Sequence, residues 1–153
     1  MKDSNKEQGA YLQNFYPIYK PNGKGTGGAI QFKPDFESKN GCIFINAANQ
    51  AGEKSYDWGN KVIMKLGMSD IGKIMALLIG RTKECKLFHK SDRGQTTFDL
   101  KPGTSYGYML RTTSTISGST VNLPVSDDEA EILLTLLRHV VPIFARWVDI
   151  YSI

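Results

Sequence analysis

Apolar and polar residues alternate along most of this chain, and the alternation gives way to a helical period twice. Ile30 and Phe32 fall on one side of an extended segment and Gln31 and Lys33 on the other. That period of two predicts a strand over Ala29–Lys33, closed by Pro34. Phe15–Lys20 predicts a strand before it, and Cys42–Ala47 one after it with apolar residues on both faces. Tyr56–Leu66 predicts a fourth, with Val62, Met64 and Leu66 set against Lys61, Ile63 and Lys65. The period then lengthens, and Ile71, Ile74, Met75 and Leu78 recur at helical spacing. Ser69 and Asp70 offer an N-cap and Gly80 a stop.

The second half repeats the plan. Cys85–His89, Thr96–Lys101, Tyr106–Ser114 and Ser119–Val125 predict four more strands. Ser126 then opens a long helix, with Glu129 completing a capping box and Asp127 and Asp128 at the positive end of its dipole. Leu133, Leu134, Leu137, Val141 and Phe144 line one side, while Ile132, Leu136 and Val140 widen the stripe beyond what one partner surface covers. Pro142 lies inside the helix and leaves the Arg138 carbonyl without its donor, so a bend is expected there. Four strands and a helix, twice over, predict an α+β fold of two four-stranded antiparallel sheets, each followed by a helix.

Composition narrows the class. A chain of 153 residues and 17.0 kDa, 41% hydrophobic and 22% charged, suits one globular domain over residues 13–153 behind a flexible tail over 1–12. No apolar run approaches the roughly 20 residues that cross a bilayer, so no membrane partner is expected. The start, Met1 to Glu7, is polar and carries acids, unlike a signal or transit peptide. Cys42 and Cys85 lie far apart with no metal-ligand spacing, which predicts two reduced, largely buried thiols in a cytosolic protein and no metal or cofactor. Charge is uneven. Of 19 bases and 15 acids, only Arg138 and Arg146 against five acids fall from Asp127 onward, leaving 17 bases against 10 acids before it. A basic surface outside the last helix is the footprint of a polyanion partner.

Gly23, Gly25 and Gly28 spell G-x-G-x-x-G, the pattern of a dinucleotide-binding turn. The context excludes that chemistry, because the pyrophosphate sits on a helix N-terminus and the glycines here run into a strand. A phosphate-binding P-loop fails too, since Lys24 is followed by Gly25. Two readings remain: a plain hairpin connection, or a loop whose N–H groups lie against a nucleic-acid backbone with Lys20, Lys24 and Lys33 neutralising charge.

A series of short motifs adds a resemblance. Tyr56-Asp57-Trp58, Lys61, Ser69-Asp70-Ile71-Gly72, Leu87-Phe88-His89 and Leu123-Pro124-Val125-Ser126, before a long helix holding Pro142 and ending at Trp147, keep an order that resembles the Whirly family of single-stranded-DNA-binding proteins. The fold of that family is also similar to that of the kinetoplastid guide-RNA-binding proteins. The match runs from about Tyr19 to Trp147. It implies two sheets set roughly perpendicular and a homotetramer assembled through the helices. Plant members carry Lys-Gly-Lys-Ala-Ala-Leu-Ser at the first hairpin. Aligned through Pro34, Gly27 and Gly28 stand where its second lysine and first alanine would be, a departure that bears on assembly beyond the tetramer. With no organelle-targeting extension recognised, the resemblance points to a cytoplasmic, nucleoid-associated protein of bacterial or phage type.

The function expected is non-catalytic binding of single-stranded DNA with little sequence preference, in replication, recombination or repair. RNA binding and annealing on the same fold is the alternative, and an oligomeric protein-interaction module a third. The candidate contacts are Lys20, Lys24, Gln31, Lys33, Tyr56, Trp58, Lys61 and Lys65 in the first half, and Lys86, Lys101, Tyr108 and Arg111 in the second. Phe44, Phe88 and Tyr106 are further stacking candidates, with a core role competing for Phe44, Phe88 and Trp58. Trp147 is expected in the core or at a helix interface. His89 and His139 have no histidine partner at metal spacing and are expected to be satisfied or surface residues.

Overall fold

In the computed structural model, which describes residues 14–148, the doubled pattern becomes two meanders. The tail expected over residues 1–12 falls outside that range. The first sheet pairs β1 (Tyr16–Lys20), β2 (Gly28–Asp35), β3 (Cys42–Asn49) and β4 (Val62–Leu66) in sequence order, all antiparallel. Helix α1 (Met68–Leu78) follows. The second sheet pairs β5 (Cys85–Ser91), β6 (Gly94–Pro102), β7 (Tyr108–Ser114) and β8 (Ser119–Val125) in the same way, and is followed by α2 (Asp127–Phe144).

Strand alternation decides which face of each sheet turns inward. Ile18, Ile30, Phe32, Ile45 and Met64 from the first sheet meet Phe98, Leu100, Leu110 and Leu123 from the second in one core. Each such side chain contributes about 1.5–3 kcal/mol on burial. The sheets cross: β8 touches all four strands of the first sheet, and β4 in turn touches β6, β7 and β8. Two hydrogen bonds stitch the corner, from Asn49 Nδ2 to the Thr120 carbonyl at 3.0 Å and from Ser119 Oγ to the Asn60 carbonyl at 2.6 Å. Ile71, Ile74 and Leu77 of α1, with Leu133, Leu137 and Val140 of α2, cover the remaining core. Cys42 and Cys85 are both free and buried, and burial pushes the Cys85 thiol up to about 11, against a smaller lowering by Lys73. Among the described residues no helix is long and apolar enough to cross a membrane.

The helix ends show where local chemistry departs from the expected boundaries. α1 starts at Met68 after an extended Gly67, and Asp70 acts from the first turn by accepting the Gly67 N–H at 3.1 Å. The same carboxylate oxygen lies 3.0 Å from His89 Nε2 on β5, which satisfies that histidine. Gly80, at φ +82°, ends α1 as expected: its N–H reaches the Leu77 carbonyl and that of Arg81 the Ala76 carbonyl. α2 begins with the expected capping box, the Ser126 hydroxyl accepting from Glu129 N and the Glu129 carboxylate from Ser126 N. It runs through Pro142 to Phe144 and ends on Arg146 at φ +62°, whose guanidinium donates to the Lys39 carbonyl at 3.2 Å. The fourth strand is shorter than the pattern predicts. Asp57 turns the chain, its carboxylate accepting from Asn60 Nδ2 at 3.0 Å, so Tyr56 makes only an isolated bridge with Gln50.

Candidate nucleic-acid interface

The outward face of the first sheet is built from the residues that alternate with the core. In register across three strands, Lys33 on β2 stands opposite Phe44 on β3, and Phe44 opposite Lys65 on β4. With strands about 4.8 Å apart, the Cα atoms of the two lysines lie roughly 10 Å from each other on either side of a half-buried ring. The next row is Gln31, Asn46 and Ile63, the last of these 51% exposed. Lys33 also lies over the Phe15 ring, 5.4 Å from its centroid. Phe15, Lys33, Phe44 and Asn46 line a cleft of about 720 Å³ that continues onto the β2–β3 hairpin.

At the other end of this face Tyr19, Tyr56 and Trp58 form a ladder, with centroids 5.8 Å apart for the first pair and 6.1 Å for the second. Tyr19, Tyr56 and Trp58 border a second opening of about 680 Å³ together with Lys54. Burial, with a smaller push from Tyr19, raises Tyr56 above 10.0, so its phenol is neutral at pH 7 and its ring is available to stack. Lys61 precedes β4 beside this ladder, on the parity of Ile63 and Lys65.

Not every candidate joins this face. Lys20 shares the inward parity of Ile18, and its ammonium lies 2.7 Å from Glu129 on α2, so it is occupied within the fold. Lys24 is exposed on the β1–β2 loop. On the second sheet Lys86, Lys101 and Arg111 point outward, but Asp99 stands in register between Lys86 and Arg111 and dilutes the charge. Those three border a cleft of about 400 Å³ on a face turned away from the shared core, separate from the first. Tyr108 has inward parity, opposite Val125, and packs against the core. Phe88 is 59% exposed rather than buried, and Trp147, at 73%, stands clear of the protomer core.

The glycine loop resolves as the plain connection. The Asn22 side chain accepts the N–H groups of Lys24 and Thr26, the Asn22 carbonyl accepts that of Gly25, and Gln50 Oε1 accepts those of Asn22 and Gly27. These donors are spent within the fold and are not free to meet phosphate. A Cβ on Gly27 would collide with the Lys20 carbonyl, which fixes the need for glycine there. Tyr19, Phe15 and Asn46 join the face without having been expected from the sequence. Tyr19 and Phe15 both carried a signal, since each takes the parity opposite to buried Ile18 in the expected Phe15–Lys20 strand, although the observed strand starts one residue later, at Tyr16.

The profile of the Whirly transcription factor family matches residues 30–136, more than half of the chain. The chain belongs to the Whirly family. This Whirly chain is 27% identical over 153 aligned residues to the chloroplastic single-stranded DNA-binding protein WHY1 of Solanum tuberosum, covering 86% of itself and 54% of that protein. It spans about half the length of the curated relatives it matches. Its fold superposes on the crystal structure of WHY1 from Arabidopsis thaliana with a TM-score of 0.72, at 22% identity over 87% of this chain and 85% of that one. A guide-RNA-binding protein complex bound to its RNA shares the fold at a TM-score of 0.63 and 18% identity, over 88% and 93% of the two chains. The expectation of a cytoplasmic, nucleoid-associated protein of bacterial or phage type is overturned, because the matching curated relatives are chloroplast proteins of plants. That expectation leaned on the lack of a recognised targeting segment, and such a lack does not locate a chain.

Proposed function

We propose that this Whirly chain is a non-catalytic binder of single-stranded DNA with little sequence preference, holding exposed strands during replication, recombination or repair. The observation that supports this best is the row Lys33–Phe44–Lys65, with the Tyr19–Tyr56–Trp58 ladder on the same sheet. The ammonium groups neutralise successive phosphates while a base stacks between them. Stacking is worth about 1–3 kcal/mol per base and accepts any sequence. The relatives named as single-stranded-DNA-binding proteins support the same reading. Gln31, Lys61 and Lys24 extend the contact, whereas Lys20 and Tyr108 are left out because both are engaged inward. Lys86, Lys101 and Arg111 form a secondary patch on the other sheet.

Fluorescence titration with oligo-dT against salt is the direct test. Counterion release predicts a log–log slope of about −2 for Lys33, Lys61 and Lys65 at about −0.7 each. Affinity indifferent to salt, or higher for duplex than for oligo-dT, contradicts the proposal. The shared fold of the guide-RNA-binding complex favours one second reading, RNA as ligand. Competition between oligo-dT and oligo-U of equal length separates the two.

Assembly is proposed to be a homotetramer through the helices. Ile132 on α2 is 52% exposed and Trp147 just beyond it 73%, an apolar surface left uncovered among the described residues.

A further inference from the structure

The cleft on the first sheet holds more than phosphate binding requires. Its walls are aromatic, with Phe44 on β3, Phe15 just before β1 and Phe36 on the hairpin, where Phe36 is braced against Phe144 of α2 at 5.4 Å. Its volume of about 720 Å³ lies in the range of small-ligand sites. Its rim carries two carboxylates, Asp35 and Glu37. Asp35 shares the outward parity of Gln31 and Lys33 and spends one oxygen on the Glu37 N–H at 3.0 Å. Neither acid belongs to an ion pair among the described residues. A surface that only neutralised phosphates would be weakened by two uncompensated negative charges at this place.

Carboxylates in a base-binding cleft need donors. Of the four DNA bases, guanine alone presents two adjacent N–H donors, N1–H and N2–H, on its Watson–Crick edge. An ionised carboxylate accepts both at once, and such charge-assisted pairs are the stronger hydrogen bonds. Thymine offers a single N–H flanked by carbonyl oxygens that a carboxylate repels, and cytosine and adenine offer an amino group beside a bare ring nitrogen. Phosphate oxygens are repelled too, so the acids admit a base edge and exclude the backbone.

We propose that the cleft bounded by Phe15, Phe44, Lys33, Asp35 and Glu37 is a guanine-selective subsite on an otherwise sequence-tolerant strand-binding face. The base stacks on Phe44, its Watson–Crick edge meets a hairpin carboxylate, and Lys33 holds the adjoining phosphate. This rests on the single-strand reading above and assigns one position within it.

The test compares, for the full chain at fixed salt, oligo-dT with the same oligomer carrying one central guanine, where a lone guanine avoids self-assembly of the DNA. Guanine should bind about fivefold tighter, the lower end for a bidentate base contact. Inosine, lacking the N2 amino group, should lose the gain, and 7-deazaguanine, which keeps the Watson–Crick edge, should retain it. Asp35→Asn combined with Glu37→Gln should erase the preference while oligo-dT binding holds or strengthens; Glu37→Gln alone guards against a folding effect at Asp35. Equal affinity of the wild-type protein for both oligomers, or a preference that survives both substitutions, overturns the subsite and leaves the single-strand reading standing. If neither oligomer binds, both readings are overturned.

Discussion

Lys20 and Tyr19 are neighbours with opposite fates, and the period of two separates them. The parity that buries Ile18 turns Lys20 toward α2 and Tyr19 outward. Reading Lys20 as a phosphate contact follows its charge and ignores its parity; the same applies to Tyr108, which shares its face with Leu110. The Lys20–Glu129 pair has a measurable consequence. Burial alone pushes the Glu129 carboxyl up, but the Lys20 ammonium and the Ser126 donors together outweigh it and hold it below its ordinary 4.5. A carboxyl lowered in the folded state adds stability that is complete above the unfolded value and is lost as pH falls through the folded one. Thermal melts from pH 7 to 3 should therefore show the wild type losing stability below about 4.5 more steeply than Glu129→Gln. Parallel pH profiles for the two proteins would contradict that assignment. The Gln50 bonds that lock the first hairpin had no such signal, because they join residues 23 and 28 positions apart.

At the scale of elements, the apolar pattern located all eight strands and both helices, since burying a core side chain outweighs the about 1 kcal/mol that an end cap contributes. Boundaries slipped where side chains acted on the backbone, as when Asp57 cut the fourth strand short and Asp70 capped α1 from its first turn. Two glycines of one helix region give opposite expectations. Gly72 lies exposed inside α1, and a methyl added there would meet nothing within 4 Å, so Gly72→Ala should stabilise by about 0.5–1 kcal/mol through helix propensity. Gly80 needs φ +82°, so Gly80→Ala should destabilise by about 1–2 kcal/mol. Urea melts of the two variants check this; shifts of the same sign would show that the α1 ends are misassigned.

For the whole molecule, the crossing of the sheets was not legible in the pattern, because alternation fixes which face is inward but not how two inward faces meet. The motif resemblance supplied the perpendicular arrangement, and the contacts of β8 with all four strands of the first sheet express it. Crossing also splits the cationic candidates between two outward faces, which no one-dimensional reading separates. The apolar surface left on α2 has its own consequence: light scattering should give four times the 17.0 kDa protomer mass, and a stable monomer would contradict helix-mediated assembly. The account as a whole is tested most directly by the salt dependence of oligo-dT binding for the wild type against the Lys33→Ala, Lys65→Ala double variant. Removing two phosphate contacts from the first sheet should weaken binding at low salt and make the log–log slope shallower by about 1.4. An unchanged slope and affinity would show that the strand lies elsewhere.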